Sequence, residues 1–434
     1  MITDVIVLFA AFFGFMLLGL PIAYAIGLSA LSTVLLHFPL HLGVVILAQR
    51  FVGGLDSFTL LAIPFFILAG SLMNHGGIAG RLIDFAKVIV GRLPGALAHC
   101  NVVANMLFGS ISGSAVAACA AVGGTMSPMQ KKEGYDPAFG AAVNIASSPT
   151  GLLIPPSATF IVYSLISGGT SIAALFVAGY VPGIMMGLGV MLVAGVIAKR
   201  RGYPLVPRAS GREVVRTTLR ALPPLFLIVI IMGGIIGGIF TATEASAIAV
   251  VYTLFLSMAV YRSVTVRMLP RIILEATITT CIVLLLVGAS GAMSWAMAYN
   301  KIPQFVSAAL LAVSENPIII LLVINALLLI VGMFMDMTPA LLIFTPIFLP
   351  VVTAFGMDPV HFGVLMAFNL SIGICTPPVG SALFVGCSVA DVRIPEVIKP
   401  LMPMFLVLFI LLLGVTYIPE LSLTLPRLLL GYGS

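Results

Sequence analysis

Two stretches decide how this chain folds: Ser148-Pro-Thr-Gly-Leu-Leu-Ile-Pro-Pro-Ser157 and Asn369-Leu-Ser-Ile-Gly-Ile-Cys-Thr-Pro-Pro-Val-Gly-Ser381. Each lies in the middle of a long apolar segment, 137–168 or 360–390. A proline removes a backbone donor and pushes the residue before it out of the α conformation, so a proline pair interrupts a helix. Both segments therefore read as membrane helices broken near the bilayer centre. The carbonyls freed there need partners. Irregular backbone survives at membrane depth where it is buried in protein or lines a cavity, and a bound cation satisfies it well.

Working outward, a shift of 222 positions lays Gly151-Leu-Leu-Ile-Pro155-Pro156 on Gly373-Ile-Cys-Thr-Pro377-Pro378. The same shift brings two further apolar segments together, 95–130 and 317–352, each with a polar, Gly-containing centre. Their arms of about 14–16 residues, about 21–24 Å as helix, fall short of a full crossing, so each reads as a re-entrant hairpin. The tips are Gly109-Ser-Ile-Ser-Gly-Ser114 and Gly332-Met-Phe-Met-Asp-Met-Thr338. An amphipathic stretch precedes each hairpin, at 78–93 and 300–314.

Full crossings are expected at 4–20, 22–37, 58–75, 137–168, 172–198, 221–240, 242–261, 275–298, 360–390 and 400–419. That layout predicts an all-α polytopic membrane protein of two repeats, residues 1–198 and 221–434, each with five crossings and one hairpin. An odd number of crossings makes the second copy enter from the opposite face, the inverted-topology architecture of secondary transporters. The basic segment 199–220 reads as the linker. Positive residues collect on the cytoplasmic side of short loops. Under this layout 17 of the 20 Lys and Arg fall on one side, and Arg50, Lys301 and Arg427 fall outside it. Both termini then lie on the exterior face.

Composition narrows the function. The chain of 434 residues is 61% hydrophobic and 8% charged, against roughly 25% charged in a soluble domain, which excludes a water-soluble globule. The net charge of +6 sits in loops, and no basic run is interleaved with aromatics as nucleic-acid binding requires. Asp4 stands where a secretory signal needs Lys or Arg, so 4–20 reads as a first span. Five cysteines without paired spacing and five unclustered histidines imply neither a disulfide framework nor a metal site. Gly109-Ser-Ile-Ser-Gly is GxxSG, not the GxSxG nucleophile turn, and no base or orienting group accompanies it, so an enzyme is not expected.

Hairpin tips of Ser, Thr and Gly facing broken helices offer oxygens to a hard cation, while helix N-termini offer N–H groups to an anion. Sodium with a carboxylate substrate is the simplest pair of occupants. Two acidic residues lie within spans, and an intramembrane carboxylate is a functional candidate by default. Asp336, on a hairpin tip, should face the cavity. Glu244 begins a helix and is expected to cap it together with Thr243.

Five motifs in order carry a family resemblance over essentially the whole chain: GSISGSAVA (109–117), PTGLLIPPS (149–157), GIFTATEASAIAVVY (238–252), MDMTPALLIFTPIFLPV (335–351) and CTPPVGSALFVG (375–386). They resemble the large membrane subunit of tripartite ATP-independent periplasmic (TRAP) transporters. The resemblance implies a multi-pass protein of the bacterial inner membrane that imports carboxylates on a sodium gradient by an elevator-type movement, with no cofactor beyond the coupling ions. It implies two partners, a periplasmic substrate-binding protein and a small four-helix membrane subunit, here a separate polypeptide. By similarity, Ser110 and Ser114 with the Gly151 region form one sodium site, and Gly332, Thr338, Gly373 and Thr376 the other; many of these bonds would come from backbone carbonyls. Ser112, Ser157 and Asp336 match positions expected to touch substrate. A stand-alone sodium/dicarboxylate symporter of related architecture is the alternative, and the Ser-Asn-Thr tips typical of such carriers are absent here.

Overall fold

The computed structural model describes residues 2–203 and 210–433, and among these the chain is helical with no strand. The first half runs α1 (Ile2–Leu17), α2 (Ile22–Val34), α3 (Leu40–Leu55), α4 (Ala62–His75, led by a 3-10 turn from Phe58), α5 (Ile78–Val90), α6 (Ala96–Ser112), α7 (Ala115–Lys132), α8 (Pro137–Ser147), α9 (Thr150–Leu153), α10 (Ala158–Ile166) and α11 (Ile172–Arg201). The second runs α12 (Gly211–Ile236), α13 (Ala242–Phe255), α14 (Leu269–Tyr299), α15 (Ile302–Val313), α16 (Pro317–Phe334), α17 (Met337–Ala354), α18 (Pro359–Gly373), α19 (Ser381–Ala390), α20 (Ile394–Tyr417) and α21 (Glu420–Leu430). From α4 onward and from α14 onward the same order recurs: long helix, amphipathic helix, helix pair, broken helix, long helix.

Among the described residues eight helices are long and apolar enough to cross a membrane, both arms of the second helix pair, α16 and α17, among them, and nine if the bent pair 137–153 and 158–166 counts as one span broken by 53°. The chain is an all-α polytopic membrane protein. Its outward faces are apolar, with Leu17, Val229, Ile282 and Leu406 exposed, as lipid contact requires. Small residues let helices approach closely inside the bundle: a Cβ on Gly54 of α3 would lie 3.5 Å from the Cα of Gly291 on α14.

The structure alters the sequence reading at three places. Helix α3, absent from the ten expected spans, is a 16-residue apolar helix packed along α14 and α2; Arg50 hid it, and that guanidinium lies over the Trp295 ring, 5.4 Å from its centre. The hairpin arms are longer than expected, 17 and 18 residues in the first and 18 in each arm of the second, because the helices continue to within two residues of each tip. The 199–220 linker is largely helical at its ends, with α11 reaching Arg201 and α12 starting at Gly211; positions 204–209 lie outside the described residues. At that end Asp136 caps α8 and pairs with Arg201 at 2.7 Å.

The helices divide into two groups. One holds α1–α4 with α12–α14; the other holds α6–α11 with α16–α21. Within the second group the halves interlock: α7 packs on α19, while α17 packs on α10. Each half's helix pair thus rests on the other half's broken helix.

Candidate functional site

Both proline pairs do what their chemistry dictates. Pro155–Pro156 and Pro377–Pro378 are both cis, and each separates two helical segments. Hydroxyls take up freed carbonyls around the breaks. Thr150 Oγ1 donates to the Ser147 carbonyl at 2.6 Å, Ser157 Oγ to the Leu152 carbonyl, and Thr376 Oγ1 to the Ile372 carbonyl at 2.7 Å. The Gly380 amide donates to the Met333 carbonyl at 3.1 Å, tying the second break to the second hairpin.

Glycine pairs hold each hairpin against its own half's break. A Cβ on Gly151 would lie 2.2 Å from the carbonyl carbon of Gly109, and one on Gly373 would lie 2.6 Å from the Cα of Gly332. Neither distance is physically allowed, so backbone meets backbone at both places and only glycine fits. Below each contact a buried amide pair repeats the arrangement. Asn105 Nδ2 donates to Asn144 Oδ1 at 3.0 Å and Ser147 Oγ at 2.8 Å; Asn369 Nδ2 donates to Asn325 Oδ1 at 2.8 Å. Buried polar groups that find each other in this way fix helix register, since leaving one unpaired costs about 1–3 kcal/mol.

Above the contacts the two tips enclose a cavity of about 300 Å³. Ser112, Ser114, Asp336 and Thr338 line it, with Leu152, Pro156 and Thr159 from the first break and Ile374 from the second. Ser114 caps α7, its Oγ accepting from the Ala117 amide at 3.2 Å. Ser112 Oγ is buried without a protein hydrogen-bond partner, so it remains available to a bound species. Asp336 sits at the N-cap of α17 and accepts from Ser381 Oγ at 3.3 Å. Four helix N-termini, those of α7, α10, α17 and α19, begin beside the breaks and tips. Asp336 is the one ionisable group among the described lining residues.

The other residues singled out from sequence lie behind this lining. Ser110 is fully buried and donates to the Leu107 carbonyl at 2.9 Å. Ser157 is likewise buried, its hydroxyl turned into the first break. Gly151, Gly332 and Gly373 form the backbone contacts, and Thr376 faces its own helix. Glu244 is structural, as its helix-start position suggested, but its partner is Thr241, not Thr243: the Thr241 amide donates to Glu244 Oε2 at 2.7 Å and the Glu244 amide to Thr241 Oγ1 at 3.3 Å. Four cysteines are buried and Cys281 is exposed.

Comparison with known proteins then places the chain. The sequence model of the family described as "Tripartite ATP-independent periplasmic transporter, DctM component" matches residues 9–421. The chain belongs to this family. It is 57% identical over 427 residues to "Uncharacterized protein YgiK" of Salmonella typhimurium, covering 98% of each chain. It is 40% identical over 420 residues to the sialic acid TRAP transporter large permease protein SiaM of Vibrio cholerae, covering 97% of this chain and 98% of that one. The crystal structure of the YdaH transporter of Alcanivorax borkumensis matches with a TM-score of 0.62 over 89% of this chain and 88% of that one; at 14% identity the likeness concerns fold alone. This is therefore a TRAP large permease subunit, a multi-pass protein of the bacterial inner membrane.

Sequence reasoning missed several residues around this cavity. Ser381 opens α19 and reaches Asp336. Gly70, Ser71 and Asn74 of α4, with Thr279 of α14, close the cavity from the other helix group. A Cβ on Gly70 would lie 2.7 Å from the Ser112 carbonyl oxygen, so α4 touches the first tip directly. Nothing in the local pattern of α4 marks this face, because its small residues resemble ordinary helix packing.

Proposed function

We propose that this large permease subunit carries a carboxylate substrate inward through the cavity between the two tips, coupled to sodium bound at those tips. The observation that carries the reading is the charge of the lining: one carboxylate, Asp336, and no Lys or Arg among the described residues. An acidic substrate entering such a cavity meets repulsion unless cations accompany it. Oxygens of Ser and Thr, together with carbonyls freed at the breaks, supply ligands for a small hard cation. Helix N-termini and the unpaired Ser112 hydroxyl then receive the substrate's oxygens. A relative named as a sialic acid permease fits a carboxylate cargo. A periplasmic binding protein delivers the substrate, a small four-helix membrane subunit anchors the scaffold group, and the hairpin group moves past it in an elevator-type step.

Because Ser110, Ser157 and Thr376 spend their hydroxyls on nearby carbonyls, their places in the ion and substrate sites are served mainly by backbone, while Ser112, Ser114, Thr338 and Asp336 contribute side chains. The test is uptake by the complete three-component system in vesicles. Replacing sodium by potassium should abolish it, and Ser114→Ala and Thr338→Ala should each raise the sodium concentration for half-maximal uptake. Transport that tracks the proton gradient at constant sodium would overturn the coupling. Sodium-driven uptake by the purified chain alone would favour a self-sufficient symporter.

A further inference from the structure

A second cavity, of about 510 Å³, opens between α5, the stretch of α12 that carries Thr217 and Arg220, and the Val260–Tyr261 segment after α13. Its floor is built. Arg81 of α5 donates through Nη1 to the carbonyls of Gly76 at 3.2 Å and Gly77 at 2.7 Å, and its guanidinium carbon lies over Tyr261, 3.7 Å from the ring centre. Tyr261 Oη in turn donates to the Arg220 carbonyl at 3.1 Å, so the ring that supports Arg81 also joins α12 to the segment after α13.

Charge in this cavity is unbalanced. Arg220 is exposed and makes no side-chain hydrogen bond or ion pair with any described residue, whereas the lining acid, Asp84, is already paired with Lys87 at 3.2 Å. Arg216 and Arg262, both exposed nearby in sequence, add to the positive potential. Space is kept by glycine: Gly80 lines the cavity, and a Cβ there would meet nothing within 4 Å. Helix α5 is strongly amphipathic, with Arg81, Asp84 and Lys87 along its polar face, the character of a helix lying at headgroup depth.

The geometry points to a phosphate-binding site between Arg81 and Arg220, sized for the headgroup of an anionic phospholipid. Two guanidiniums, one clamped and one free, match a phosphate's oxygens in directed pairs as a lysine pair would not, and basic pockets between membrane helices at the cytoplasmic surface bind such headgroups. A soluble phosphate anion offers the same chemistry, so the experiment separates the two sources. Native mass spectrometry of the full chain in detergent would count bound phosphatidylglycerol, with phosphatidylcholine as the zwitterionic comparison and inorganic phosphate as a second arm. Arg220→Gln removes the free charge; Gly80→Leu keeps every charge and fills the space.

Selective retention of phosphatidylglycerol, weakened about fivefold by either substitution, supports the site with lipid as its source. Binding of inorganic phosphate alone, weakened by the same two substitutions, supports the phosphate site with a soluble source. Phosphatidylglycerol binding that is equal in wild type and both variants, or no binding of either probe to the wild type, overturns the proposal. Arg427→Gln, remote in sequence, should leave every arm unchanged.

Discussion

Asp336 concentrates the charge of the cavity between the two tips into one side chain. At the N-cap of α17 its carboxylate accepts from the Ser381 hydroxyl at 3.3 Å. A carboxylate at membrane depth persists where a cation or a set of donors offsets its desolvation. Asp336→Asn keeps the shape and removes the charge. Uptake by the complete system is expected to fall by about tenfold or more, with normal expression and normal assembly, since the proposed ion and substrate path would lose its one carboxylate. Wild-type uptake by the Asn variant across the whole sodium range would make Asp336 structural and shift the substrate role to Ser112.

At the scale of elements, the working parts are two helix pairs pressed onto two broken helices through glycine. The contact at Gly151 is the tighter one, with 2.2 Å between a built Cβ and the Gly109 backbone. Backbone cannot move aside as a side chain can, so Gly151→Ala should separate α6 from the first break. Overpacking of this kind costs about 1–3 kcal/mol, and thermal unfolding in detergent should show a lowered midpoint. An unchanged midpoint with unchanged uptake would show that the break yields freely. Gly151 and Gly373 were legible because their motifs recur 222 positions apart beside proline pairs. Ser381, Gly70 and Asn74 were not legible, because their role depends on which helices come together across the two groups, and no periodicity within one element encodes that. Helix α3 escaped for a local reason, since Arg50 interrupts its apolar run and finds its compensation in Trp295, almost 250 positions away. The amide pairs Asn105–Asn144 and Asn325–Asn369 escaped too: an isolated Asn in an apolar helix gives no sign of its partner.

At the scale of the whole molecule, the interlocked packing of α7 on α19 and α17 on α10 means that neither half can form the cavity alone. Two copies of one element order place both tips at a common depth only if they enter the bilayer from opposite faces, and this is what the distribution of basic residues also requires. The consequence is a direct measurement. Cysteines introduced at Ser210, before α12, and at Lys301, between α14 and α15, should be labelled by an impermeant reagent from opposite sides of the membrane, Lys301 from outside. Both positions flank long helices and both are exposed, so reagent access does not depend on unfolding. Labelling of both from outside would place an even number of crossings between them. The second copy would then run parallel to the first, the two tips could not meet from opposite faces, and the ion and substrate sites proposed at those tips would lose their geometric basis together.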